Sequence, residues 1–204
     1  MARRPAPPRL HLLSDQRATA VFYEQAVRWM VSVKITSRFF DLGGFDKDPD
    51  RIINLATSTG DVKRDFFLVL FDGEEPAYFD DRKARARQIR DCFHRCGVGE
   101  GQVASWVVMP TTEALYLTTP ELRDIVSKHP RRRPARLAEL EALGRTIRHA
   151  APDKRRVEKA VLSGTDKSAL AAAAAACVAQ HGLPDDIPCI NAIRASLLAW
   201  SGRT

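Results

Sequence analysis

Apolar residues in the first half of the chain fall into short blocks with different spacings. Leu10, Leu12 and Leu13 mark a first strand. Val21, Phe22, Ala26, Trp29 and Met30 then recur near helical spacing, which predicts an amphipathic helix over residues 18–29, with Ser14 and Asp15 as capping residues. Val31, Val33 and Ile35 alternate with Ser32, Lys34 and Thr36 as in a half-buried strand. A loop with two glycines over 41–50 leads into a helix ending near Ala56. The run 67–71 is continuously apolar between Asp65 and Asp72, as expected of a central parallel strand buried on both faces. A charged helix over 80–96 ends at Gly97, and a further strand over 103–109 stops at Pro110. Strands alternating with helices predict an α/β fold with a doubly wound, mostly parallel sheet.

Beyond Leu117 the pattern is helical only, with helices expected over 120–127, 134–149, 152–162, 166–181 and 187–200, and HPRRRP as a breaker. The 166–181 stretch contains six consecutive alanines, which favour helix but specify little packing, and Gly182 ends it. The expected organisation is a disordered basic and proline-rich lead-in over 1–9, an α/β domain over 10–117 and an all-helical region over 118–204. That region packs on the sheet or forms a lid. Leu197, Leu198 and Trp200 near its end suit either core or a partner-facing surface.

The 204 residues, 45% hydrophobic, suffice for one α/β domain with a helical addition. No apolar run approaches the roughly 18 residues of a membrane span, and the start of the chain lacks the apolar core of a signal peptide, so a soluble cytoplasmic protein is expected. Cys92, Cys96, Cys177 and Cys189 are too sparse for a disulfide framework. Cys92 and Cys96 flank His94, but no CxxC spacing occurs, and buried structural thiols are the simpler reading than zinc. The net charge of +7 is concentrated in His129, Arg131, Arg132, Arg133 and Arg136, then Arg145, Arg148, Lys154, Arg155 and Arg156. Such a belt suits phosphate neutralisation, with Arg131, Arg132 and Arg133 as candidate nucleic-acid contacts. A solvated helical face paired with Glu139 and Glu141 is the alternative.

The sequence contains no GxxxxGK[ST], GxSxG, HExxH, or HxE with PCxxC, which argues against standard P-loop, serine hydrolase, zincin and zinc deaminase chemistry. Gly97, Gly99 and Gly101 precede a strand and read as a helix stop rather than a dinucleotide loop. What remains is a set of acids at expected strand ends: Asp15, then Asp72, Glu74 and Glu75, then Glu113. Carboxylates brought together repel unless a hard cation lies between them, and Mg²⁺ accepts oxygen-only ligation with water and phosphate completing its shell. The same DGEEP segment serves equally well as an acidic, solvated turn.

The order of pieces, LLSDQRATAVFYEQAV, LVLFDGEEP, a charged helix and PTTEALYL, resembles Toprim-like proteins over about residues 10–117, especially the OLD-type and RloB-like branch associated with phage defence. Where that family has Glu-Gly after the first strand, this chain has Asp15 and Gln16. Where it has Asp-x-Asp, the chain has Asp72, Gly73 and Glu74. The resemblance implies a Mg²⁺- or Mn²⁺-dependent nuclease or phosphotransfer protein acting on nucleic acid. Asp72 and Glu74 would be metal ligands, Asp15 and Glu113 would be catalytic acids or further ligands, and the arginines would clamp substrate. The departures from the motif also fit a catalytically inactive subunit that serves as an interaction module in a larger protein complex.

Overall fold

The computed structural model describes residues 8–14, 17–31, 36–41, 49–72, 79–108, 111–128, 137–150, 152–162, 164 and 166–202. β1 (Arg9–Ser14), α1 (Ala20–Met30), β2 (Thr36–Asp41), α2 (Pro49–Thr59), β3 (Phe66–Asp72), α3 (Phe79–Arg95) and β4 (Val103–Val108) alternate along the chain. They build a parallel four-stranded sheet of order β2-β1-β3-β4. A short 3-10 helix, Thr112–Leu117, follows β4. Among the described residues only helices come after it: α4 (Pro120–Lys128), α5 (Leu137–Ile147), α6 (Lys154–Leu162), α7 (Lys167–His181) and α8 (Pro188–Ser201).

β3 is continuously apolar because each of its neighbouring side chains serves a different face. Phe66, Leu68 and Leu70 join Leu10, Leu12, Trp106 and Val108 in one buried cluster, whereas Phe67 and Val69 join Leu13, Ile53, Ile89 and Phe93 in another. The second cluster is roofed by α2 and α3. The first is roofed by α1 and by the later helices, through Leu170, Ala174 and Val178 of α7 and Ile190, Ile193 and Leu197 of α8. The alanines of α7 have a packing reason: small side chains let that helix lie close against α1. The apolar core thus runs without interruption across the change from α/β to all-helical sequence near Leu117.

Several local expectations shift. Residue Ser14 ends β1 instead of capping α1; a 3-10 turn, Arg17–Thr19, intervenes, and Thr19 occupies the cap position without a side-chain capping hydrogen bond. Ala26, Val27 and Met30 complete the buried face of α1, so the helix runs on to Met30 and Val31 closes it through its N–H to the Val27 carbonyl, 3.1 Å away. The described second strand is Thr36–Asp41, Val31 belongs to the end of α1, and residues 32–35, which carry the rest of the expected alternation, lie outside the described residues. Both Leu197 and Trp200 are core, at 0% and 3% exposure, while Leu198 points outward at 48%. The Trp200 indole donates to the Arg64 carbonyl at 3.0 Å, tying α8 to the turn before β3. No helix among the described residues is long and apolar enough to cross a membrane.

Candidate functional site

The connection from β1 runs through α1 on one face out to β2, whereas the connections through α2 and α3 on the other face lead to β3 and β4. The winding reverses between β1 and β3, and in open parallel sheets the crevice at such a reversal, at the carboxyl ends of the strands, is where ligands bind. Ser14 is the last residue of β1 and pairs with Leu70, so Asp72 projects two residues further along β3 at that end. The residue opposite Asp72 on β4 is Val108, after which the chain enters the segment carrying Thr111, Thr112 and Glu113.

These elements bring Asp72 and Glu113 together in a nearly dry site, at 6% and 0% exposure. Thr111 Oγ1 lies 3.2 Å from Asp72 Oδ2 and also contacts Glu113 Oε2. One hydroxyl hydrogen therefore serves two carboxylate oxygens. Asp72 Oδ1 accepts from the Thr112 N–H at 2.8 Å and from the Thr112 hydroxyl at 3.0 Å. Because the Thr112 hydrogen is committed to Asp72, the Tyr23 hydroxyl, 2.6 Å from Thr112 Oγ1, is the donor in that contact. Burial, reinforced by the nearby Asp72 charge, pushes the Tyr23 phenol well above its ordinary value and keeps it protonated for this role.

Positive charge comes from the helical region. Lys167 Nζ stands 2.6 Å from Glu113 Oε1, and the Lys154 charge also acts on Asp72. Burial raises the Asp72 pKa, with the Glu113 charge the next cause, against the lowering effect of the Thr112 hydrogen bonds and of Lys154. The hydroxyl of Tyr116, fully buried, has no hydrogen-bond partner among the described residues, and its pKa is raised by burial and then by the charges of Glu113 and Asp72. The centre thus holds two carboxylates, the Lys167 ammonium, two threonine hydroxyls and two tyrosines.

Of the expected site residues, Asp72 and Glu113 converge, while Asp15, Glu74, Arg131, Arg132 and Arg133 lie outside the described residues. Among the described residues no group of three or more His, Cys, Asp or Glu side chains is arranged to hold a metal ion. Asp72 and Glu113 are nevertheless hard oxygen donors of the kind Mg²⁺ takes, and two carboxylates with waters would suffice to hold it. Part of the basic belt is engaged within the chain: Arg148 pairs with Asp186 and donates to the Thr118 carbonyl, Arg156 reaches Glu139 at 4.0 Å, and Lys154 reaches Glu158 at 3.8 Å. All four thiols are free, and burial pushes those of Cys92, Cys177 and Cys189 up, which makes them poor nucleophiles.

Sequence reasoning missed Thr111, Thr112, Tyr23, Tyr116 and Lys167, and set Lys154 in the basic belt rather than near the acids. The two threonines carried a readable signal, since consecutive hydroxyls between a strand end and an acid are ready donors to carboxylates. Tyr23 and Tyr116 read as ordinary apolar-face aromatics, and nothing local marks either lysine. A separate buried pair sits at the opposite end of the sheet, where His11 Nε2 is 2.9 Å from Asp65 Oδ2 and the imidazole stacks on Phe67. Compared with protein-family models, curated proteins and solved structures, the chain matches none.

Proposed function

We propose that this chain is a Toprim-like protein whose acidic centre supports Mg²⁺-dependent cleavage or transfer at a nucleic-acid phosphodiester. The observation that carries the reading is the convergence of Asp72 and Glu113, from separate segments, at the winding reversal of the sheet, around the Thr111 hydroxyl. Buried carboxylates that share one donor gain most from an added cation. Asp72 and Glu113 would hold the metal, which when bound supplies Lewis-acid stabilisation of charge on phosphate oxygens. Asp15 and Glu74 would complete the acid set, and Arg131, Arg132 and Arg133 would meet the nucleic-acid backbone. Tyr23 and Thr112 fix the Asp72 carboxylate by a relay of hydrogen bonds, so its orientation is set before any ligand arrives.

A second reading is favoured by the Lys167 contact. Lys167 already offsets Glu113 and the Lys154 charge acts on Asp72, so the same centre would be stable as a metal-free element of a non-catalytic interaction module. Thermal melting of the parent and of Asp72→Asn with Mg²⁺ or Mn²⁺ separates the two, because a native-state ligand raises the melting temperature. The enzyme reading expects a metal-dependent rise in the parent that the variant loses, together with loss of divalent-dependent nuclease activity. Metal-insensitive melting of the parent would overturn it in favour of the module.

A further inference from the structure

Lys167 is the first residue of α7, directly after the capping Asp166, whose side chain accepts from the Ser168 and Ala169 N–H groups at 2.8 and 3.3 Å. A cation in the first turn of a helix opposes the macrodipole, so α7 itself gains nothing from a lysine there. The gain lies across the fold, where the ammonium meets Glu113 Oε1 at 2.6 Å. Glu113 is wholly buried, whereas the Lys167 side chain keeps 31% exposure and therefore a route to solvent. Apart from the Lys167 ammonium, no hydrogen-bond donor reaches that carboxylate oxygen among the described residues, and the Tyr116 hydroxyl, without a hydrogen-bond partner among them, lies in the field of the same acids. The site thus has a cation with a route to solvent, seated on an oxygen that no other group engages among the described residues.

We propose that Lys167 is the resident counter-cation of the acidic centre, occupying Glu113 in the absence of metal and giving way to a divalent cation, so that it sets the metal affinity of the site. This rests on the metal-binding reading above. It makes Lys167 a positioning residue: while its ammonium is seated it holds the Glu113 carboxylate in place, and where a divalent ion takes that oxygen the lysine would swing out along its exposed stem. A flexible ammonium is suited to such exchange, since it carries one charge without a fixed ligand geometry.

The test uses the full chain in four forms: parent, Lys167→Gln, Glu113→Gln and the double variant. Each is titrated with Mg²⁺ and with Mn²⁺ while thermal melting and Mn²⁺ paramagnetic binding are recorded. The expected result is tighter metal binding by Lys167→Gln than by the parent, on the order of tenfold, as for a typical coupling between two ligands. The gain should vanish in the double variant. In the parent, reductive dimethylation read by peptide mass spectrometry should find Lys167 protected without metal and reactive with it, a readout that does not depend on any variant folding. Equal metal affinity in parent and Lys167→Gln, or Lys167 reactivity indifferent to metal, would overturn the proposal and leave the metal reading standing. Absence of metal binding in every form would overturn both.

Discussion

His11 and Asp65 form a buried side-chain hydrogen bond, Nε2 to Oδ2 at 2.9 Å, at the amino-terminal end of the sheet, opposite the end that carries Asp72 and Glu113. Asp65 also accepts from the Arg9 and Asp61 N–H groups, both at 2.9 Å, and its carbonyl accepts from Gln102 at 3.0 Å. It therefore fastens the start of β1 to the turn before β3. Asp65→Ala leaves the donors to its carboxylate without an acceptor, and a buried donor left unsatisfied costs about 1–3 kcal/mol. Urea unfolding of that variant should show a loss of this size, while Asp72→Asn, at the other end of the sheet, should not.

Val69→Asp should abolish soluble expression. Val69 is fully buried on β3, opposite Leu13 on one side and Ser105 on the other. An unpaired charge there costs several kcal/mol against a total stability of roughly 5–15 kcal/mol. Normal yield and melting would show that β3 is not interior.

Gly182 closes α7 at φ 76° and ψ −165°, a region open essentially to glycine alone. A Cβ there would also stand 2.4 Å from the Trp29 ring, over which the Arg194 guanidinium lies at 5.2 Å. Gly182→Ala should lower stability by about 1–3 kcal/mol, read from the urea midpoint at unchanged slope.

The buried Asp72 gives a pH signature. Its pKa is raised in the folded chain, so the native state holds a proton that the unfolded chain has already lost. The contribution to stability is fully present below the ordinary aspartate value and is lost as pH rises through the folded-state value. In chelator, from about pH 3 to about pH 8, Asp72→Asn should become progressively more stable relative to the parent as pH rises. A difference that does not change with pH would mean that Asp72 is solvated or fully compensated.

Any nucleic-acid binding should be electrostatic. Replacing Arg131, Arg132 and Arg133 with glutamine should flatten the dependence of log affinity on log salt by up to about 0.9 for each phosphate no longer neutralised. An unchanged slope would remove this segment from the binding surface.

The legible parts of the fold are those whose reasons are local. β3 announces itself because burial on both faces demands an uninterrupted apolar run, and α7 because Asp166 and Gly182 punctuate it. The start of β2 is hidden because Val31 alternates like a strand residue while acting as the cap of α1. In the site, Asp72 and Glu113 stand out as acids at strand ends. Lys167 does not, because its meaning depends on where α7 docks, and an alanine-rich helix says little about its docking partner.

Trp200 against Phe66, and α7 against α1, join segments from opposite ends of the sequence. On a ribosome, one face of the sheet has all of its roof once α3 and β4 have emerged, while the other has α1 but stays only partly covered until α7 and α8 are made. The cluster that holds Leu68, Leu70 and Trp106 is completed only by residues of α7 and α8, made well after the strands themselves. A nascent chain halted within α6 would present an apolar surface beside an acidic centre still lacking Lys167, a species suited to chaperone capture.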